Sequence, residues 1–245
     1  MTLDVDGVKA LVFDYGNTLI AFGRQQIDTF DAALRGALER EFGPLDTAAY
    51  NARRNADRMA PFTGDPPAFR ESDVLEMTAG MVREVYCVTP DSAALDRLLR
   101  VRRDTFVSVV RAEEHVFTVL DRLRERFRLG ILSNYPDGAA IRESLDETGL
   151  AAYFERVGVS GDIGWCKPHP AAFKDVLDGM GLCPEEILFI GDNWLADVQG
   201  ARRAGMRVVH FRRWIPPEHF EPQPDDLPSH AEIMHLEELP ALLGL

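Results

Sequence analysis

The sequence predicts an α/β fold: a parallel sheet covered by helices on both faces, with a helical domain inserted after the first strand. Three observations lead there. Short apolar runs rich in strand formers recur along the chain, amphipathic helical patterns separate them, and one long stretch, 21–105, carries helical periodicity with no strand pattern.

The first run, 8–13 (VKALVF), ends at Asp14 and the turn-forming Tyr15-Gly16-Asn17, so it reads as a buried strand running into a loop. Within 21–105, Ile27, Phe30, Leu34, Ala37 and Leu38 repeat at helical spacing, as do stretches at 74–85 and 93–109, while 61–67 (PFTGDPP) reads as a loop. Further strands are expected at 128–132, 155–159, 187–190 and 206–211, with a last one at 231–234. Helices are expected between them at 115–126, 138–147, 170–180 and 196–204, and at 236–243. Fully apolar strands alternating with helices suit a sheet buried on both sides. The proline- and acid-rich segment 215–228 reads as an extended surface connection. The resulting division is a core of 1–20 and 106–245 and a helical insert of 21–105.

The formal net charge of −13 repels phosphate backbones and anionic lipid, which argues against a nucleic-acid or membrane partner. An anionic substrate would need a local cationic site. Lysine is scarce, present only as Lys9, Lys167 and Lys174, so a lysine in a special place is informative. Three cysteines without a C-x-x-C pair suggest a reducing compartment. With no basic leader before an apolar stretch and no membrane-length apolar run, a cytoplasmic protein is expected. Oligomeric state is not legible in the sequence.

Ligands of open parallel sheets bind beyond the carboxyl ends of the strands. Asp14 and Thr18 follow the first strand, Ser133 and Asn134 the second, Lys167 the third, and Asp192 and Asp197 the fourth. Two carboxylates, a hydroxyl and an ammonium would meet at one edge. Each residue alone has a plainer reading as a cap or a loop residue; their joint placement carries the weight. The arginine pairs Arg53-Arg54, Arg102-Arg103 and Arg202-Arg203 read most simply as solvated helix faces, with room for one to face a cleft.

The series VFDYGNTL, LSN, KPHPAAF and IGDNWLAD-VQGARRAGM resembles, in order, the four motifs of the haloacid dehalogenase (HAD) superfamily. The resemblance covers roughly 8–20 and 110–211, and the helical insert stands where that family carries its first type of cap. It implies a Rossmann-like core and a phosphatase of small phosphorylated metabolites that works through an aspartyl-phosphate. By the resemblance, Asp14 is the nucleophile, Ser133 binds a phosphoryl oxygen, Lys167 offsets transition-state charge and Asp197 orients Lys167 or the metal's waters. Thr18 steadies the nucleophile loop by hydrogen bonds, and Thr18 and Asn134 assist at the substrate. Asp14, Asp192 and the Gly16 carbonyl hold Mg2+, whose preference is for oxygen ligands.

One position departs from the pattern. Phosphatases of the family carry a second aspartate two residues after the nucleophile, where this chain has Gly16. Glycine leaves a carbonyl for the metal but no acid–base group, and losing such a group costs ~10²–10⁴ in rate. The loss should be smallest for aryl or acyl phosphates, whose leaving groups need little protonation. Tyr15, Tyr135, Asp137 or a residue of the insert could supply a proton instead. Two alternatives stand beside the phosphatase. One is a 2-haloacid dehalogenase, compatible with Gly16. The other is a catalytically weak phosphate-binding or regulatory protein.

Overall fold

The structure is a computed structural model that describes residues 2–213 and 222–245. Among these residues six strands form one wholly parallel sheet: β1 (Ala10–Phe13), β2 (Arg128–Ser133), β3 (Arg156–Val159), β4 (Ile187–Gly191), β5 (Arg207–Phe211) and β6 (Ala231–Ile233). Their order is β3-β2-β1-β4-β5-β6. The chain therefore builds outward on one side of β1, returns, and builds outward on the other. That reversal puts the topological switch point between β1 and β4, where an open sheet of this kind leaves a crevice.

The strands alternate their buried side chains between two cores. Leu11, Phe13, Ile131 and Ile190 pack on one face, while Ala10, Val12, Phe189 and Val208 pack on the other. This period of two, apolar on both sides, is what made the runs legible as buried strands. Around the sheet lie α5 (Glu114–Arg124), α6 (Gly138–Thr148), the single turn α7 (Ser160–Ile163), α8 (Pro170–Met180), α9 (Gly200–Arg203) and α10 (Glu238–Leu242).

The helix expected at 196–204 begins differently. Trp194–Gln199 winds as a π-helical turn, with Val198 N–H donating to the Asn193 carbonyl five residues back at 3.2 Å, before α9 follows. Such turns cluster at functional sites, and this one carries Asp197.

Between β1 and β2 come α1 (Arg24–Phe42), α2 (Thr47–Met59), α3 (Val74–Tyr86) and α4 (Ser92–Val109). They share a small core of Leu34, Leu38, Tyr50, Met81, Val82 and Leu98. The sequence reading gave no helix over α2, and the reason is physical. Tyr50 is its one buried residue, so no apolar stripe marks it, although Asp46 caps its start by accepting from the Ala48 and Ala49 amides. Buried Asp31 of α1 ties α2 in place through the Tyr50 hydroxyl, which donates to it at 3.1 Å, and through an ion pair with Arg54. Helix α4 passes position 105 without a break. Its Leu98 sits in the insert's core and its Phe106 in the sheet's core.

The connection expected at 215–228 lies outside the described residues as far as 221. From 222 it runs irregularly across the surface. Buried Gln199 anchors it through two hydrogen bonds to the Leu227 backbone, and Trp194 donates to Asp226 at 2.7 Å.

Candidate active site

The strand register brings the candidate residues level. Phe13 of β1 stands beside Ile131 of β2 and Ile190 of β4, so the next residues of all three strands open on one crevice. Asp14 continues the ladder by donating its amide to the Ile190 carbonyl at 2.8 Å. After it the backbone turns sharply. Asn17 takes a left-handed φ of 59°, its amide donates to the Ile20 carbonyl at 2.6 Å, and its side-chain oxygen accepts from the Phe22 amide at 3.0 Å. Asparagine tolerates that conformation better than other non-glycine residues because its short polar side chain bonds locally.

Lys167 is the centre of the site. It is 1% exposed, and its Nζ donates to Asp14 Oδ1 at 2.7 Å and to Asp197 Oδ1 at 2.6 Å. Burial alone would lower its pKa; the two carboxylates outweigh burial and hold it above the ordinary lysine range, so the side chain is an ammonium. The other oxygen of Asp197 accepts from the Asn193 amide at 2.9 Å. Both Asp197 oxygens are thus engaged, one on Lys167 and one on the Asn193 amide. The π-helical turn brings this carboxylate close to the end of β4. A Cβ at Gly191 would lie 2.5 Å from Asp197 Cγ, so only glycine fits there.

Asn134 also acts on Lys167. Its Nδ2 donates to the Lys167 carbonyl at 2.9 Å and its Oδ1 accepts from the Lys167 amide at 2.7 Å. Expected at the substrate, its carboxamide is committed to the lysine's backbone even though the residue lines the cleft. Thr18 likewise stands behind the nucleophile position, its hydroxyl 3.4 Å from Asp14 Oδ2, and does not line the cleft. Ser133, at the end of β2, does line it, with Asp14, Gly16, Lys167, Asp192 and Asp197, around a cavity of about 270 Å³.

Asp14, Asp192 and Asp197 each offer an oxygen within 4.8 Å of the others. Burial, followed by the neighbouring Asp14 charge, pushes the Asp192 carboxyl well above its ordinary range; burial also raises Asp14, against the pull of Lys167. One ammonium, shared between Asp14 and Asp197, leaves Asp192 with an uncompensated acidic neighbour. A hard divalent cation between Asp14 and Asp192 would relieve that repulsion, and carboxylate oxygens are the donors such an ion takes. The residues present fit a magnesium site.

Of the groups that could replace an acid at position 16, Tyr15 and Asp137 face elsewhere. The Tyr15 hydroxyl is buried against Ser144 Oγ at 2.9 Å, and burial pushes it up to about 12. Asp137 caps α6 and holds Arg103 through two 3.1 Å hydrogen bonds. Tyr135 does line the cleft, stacked on Phe106 with ring centroids 4.3 Å apart.

The sequence reading did not single out Glu71. It lies in the loop before α3, which the sequence marks only by its prolines. That loop pairs with the segment carrying Lys167. Glu71 N–H donates to the Gly164 carbonyl at 3.1 Å, and Cys166 N–H to the Phe69 carbonyl at 2.8 Å. The Glu71 carboxylate accepts from Ser160 Oγ at 2.5 Å and Cys166 Sγ at 3.2 Å. Of the arginine pairs, Arg54 and Arg102 turn toward a second cavity beneath the insert, while Arg53 pairs with Asp57, Arg103 with Asp137 and Arg202 with His230. Adjacent residues on a helix point about 100° apart, so only one of each pair can face the cleft.

Known proteins agree with this architecture. The sequence profile of haloacid dehalogenase-like hydrolases matches residues 8–205. A glyceraldehyde 3-phosphate phosphatase of Methanopyrus kandleri is 28% identical over 95% of both chains. A phosphoserine phosphatase of Thermus thermophilus is 43% identical, but over 42% of this chain and 41% of its own length. Among solved structures, a 2-haloacid dehalogenase of Pseudomonas syringae superposes with a TM-score of 0.73 at 24% identity, covering 97% of this chain and 98% of that one. The magnesium-bound HAD-hydrolase YfnB of Bacillus subtilis superposes at 0.65 and 23% identity, over 97% of this chain and 99% of that one. The structural likenesses carry the fold and the profile carries the family: the chain belongs to the haloacid dehalogenase-like hydrolases.

Proposed function

We propose that the protein is a magnesium-dependent phosphatase of a small phosphorylated metabolite, acting through a phosphorylated Asp14. The observation that carries the reading is the buried Asp14–Lys167–Asp197 chain with Asp192 beside it. A carboxylate is held at the mouth of a crevice next to a fixed ammonium and a second carboxylate suited to a cation. The relatives named above as phosphatases of phosphorylated compounds support it. We also read 21–105 as a cap and 1–20 with 106–245 as the core that holds the chemistry.

In this reading Asp14 attacks phosphorus, the bond to the leaving oxygen breaks, and the leaving group departs with the electron pair. Lys167 balances charge on the flattened phosphoryl group, and the Ser133 hydroxyl donates to one of its oxygens. Asp197 and Asn134 keep Lys167 in place, and Thr18 steadies Asp14. Water then attacks phosphorus, and phosphate leaves as the Asp14 carboxylate returns. The cation, held by Asp14, Asp192 and the Gly16 carbonyl, would offset the repulsion between the carboxylate and the incoming anion. Gly16 has no proton to give in either step, so the reading favours leaving groups stable as anions and an intermediate that lives long enough to trap.

The test is hydrolysis of p-nitrophenyl phosphate with and without magnesium, followed by rapid-quench mass spectrometry of the peptide containing Asp14. Metal-dependent release and a phosphate adduct on Asp14 are expected. Halide release from a 2-haloacid in the presence of EDTA, with no phosphate release, would move the protein to the dehalogenases. Gly16 is compatible with that second chemistry and Asp192 speaks against it.

A further inference from the structure

The second cavity, about 360 Å³, adjoins the site and shares Phe22, Phe62, Asn134 and Tyr135 with it. Its size is that of a pocket for a small organic ligand. Its walls are largely carbon: Ile27, Phe30 and Leu34 of α1, and Met77 and Met81 of α3, face it. A polar sugar or polyol would give up its water there to apolar surface, an unfavourable exchange. A flat, apolar group would not.

Two cations in this wall, Arg58 and Arg102, make no ion pair among the described residues, while Asp57 pairs with Arg53 and Glu71 is held by Ser160 and Cys166. Arg54 faces the cavity, but Asp31 balances it. Arg102 of α4 also faces the cavity, its guanidinium 5.4 Å from the centre of the Phe30 ring. A half-buried guanidinium braced on an aromatic ring presents its remaining donors to whatever enters, and its fork matches a carboxylate.

We infer that the leaving group of the substrate is an aryl or similarly flat apolar alcohol carrying a carboxylate, and that Arg102 is the residue that reads the carboxylate. The inference rests on the phosphatase reading and narrows it. Two independent features converge on it. The cavity selects carbon by its apolar lining and a carboxylate by the Arg102 fork braced on Phe30, while Gly16, by lacking an acid, selects an oxygen that leaves easily as an anion. Phenolic oxygen satisfies the second and an aromatic ring the first. Tyr135, at the neck between the cavities, would lie alongside such a ring.

The experiment compares 3- and 4-carboxyphenyl phosphate with the neutral 3- and 4-carbamoylphenyl phosphates, which have nearly the same shape. Wild type is expected to favour one carboxylate isomer over its carbamoyl counterpart by about tenfold or more in kcat/KM, chiefly through KM, as a charge-assisted hydrogen bond allows. Arg102→Ala should bring that ratio near one, and Arg102→Lys should retain part of it. Arg102→Gln, which keeps a polar stem against Phe30, repeats the test if the alanine variant folds poorly. Titration calorimetry with the matching non-hydrolysable benzylphosphonates reads the same preference without turnover. Turnover or binding that is indifferent to the carboxylate, or a preference that survives in Arg102→Ala, overturns the inference. A preference in binding with no magnesium-dependent turnover of any aryl phosphate would instead overturn the phosphatase reading and leave the carboxylate site standing.

Discussion

In the sheet core, each functional side chain stands just past the end of a parallel strand or in the turn beyond it. In the helical insert, the residues facing the same cleft come from the sides of four helices and from the irregular stretch between α2 and α3. The core thus fixes its groups by hydrogen-bond register: Asp14 is pinned by the Ile190 carbonyl, and Lys167 by two carboxylates and Asn134. The insert fixes its groups by packing and by a few ion pairs. The comparison teaches a division of labour. Under the proposed function, chemistry that tolerates little displacement is built on strands, and the surface that would meet a variable leaving group is built on helices that can be repacked.

The sharpest way to break that comparison is to remove the nucleophile. Asp14→Asn should lower turnover of p-nitrophenyl phosphate on the order of 10⁴-fold, as for other single members of a catalytic unit, while leaving the fold intact by circular dichroism. Activity above a hundredth of wild type would mean that the strand-end constellation is not where bonds are made. Next in size is Gly16→Asp. A Cβ at 16 would meet only Phe22 Cβ, at 3.9 Å, so the side chain has room. The variant should hydrolyse alkyl phosphates ~10²–10⁴ faster than wild type and aryl phosphates much less so. Equal rates on alkyl substrates would show that another group, such as Tyr135 at the cleft, already supplies the proton.

What could be read from the chain alone follows the same division. All six strands and the four motifs were legible because a two-faced strand is a short apolar run and because Asp14, Ser133 and Asp192 sit where such runs stop, with Lys167 in the loop beyond the third. Thr18 was expected both to steady the nucleophile loop and to stand at the substrate, and its hydroxyl bonds Asp14; Asn134 was placed against substrate, whereas its carboxamide bonds the Lys167 backbone, because which way a polar side chain turns depends on tertiary neighbours. In the insert, α2 was missed for want of an apolar stripe, and Glu71 because its partners Ser160 and Cys166 lie about ninety residues away. The change from insert to core inside α4 was equally hidden, since amphipathic periodicity runs through it unbroken.

That shared helix yields a prediction about stability. Leu98, in the insert's core, and Leu188, in the sheet, are 1% and 0% exposed. Truncating either to alanine should cost about 2–5 kcal/mol. Because α4 contributes to both cores, the two variants should each shift one common unfolding transition in calorimetry. A separate early transition in Leu98→Ala alone would show that insert and core melt independently, and would separate the two regions more deeply than their shared helix suggests.

The smallest expected effect lies at the seam between the regions. Cys166 precedes Lys167 and is covered by the insert loop through the Phe69 carbonyl and the Glu71 carboxylate. Burial first, and then the adjacent Glu71 charge, push its thiol far above the ordinary cysteine range, so little thiolate exists to react. Cys87 and Cys183 are exposed and should label promptly with a thiol reagent, while Cys166 should label only when the loop lifts. Glu71→Ala removes the carboxylate that holds Ser160 and Cys166, at a cost of about 1–3 kcal/mol, and should speed labelling of Cys166 without altering the other two. If Cys166 in the wild type labels as fast as Cys87, the loop is not closed in solution, and the seam that joins the cleft's two walls is looser than its hydrogen bonds imply.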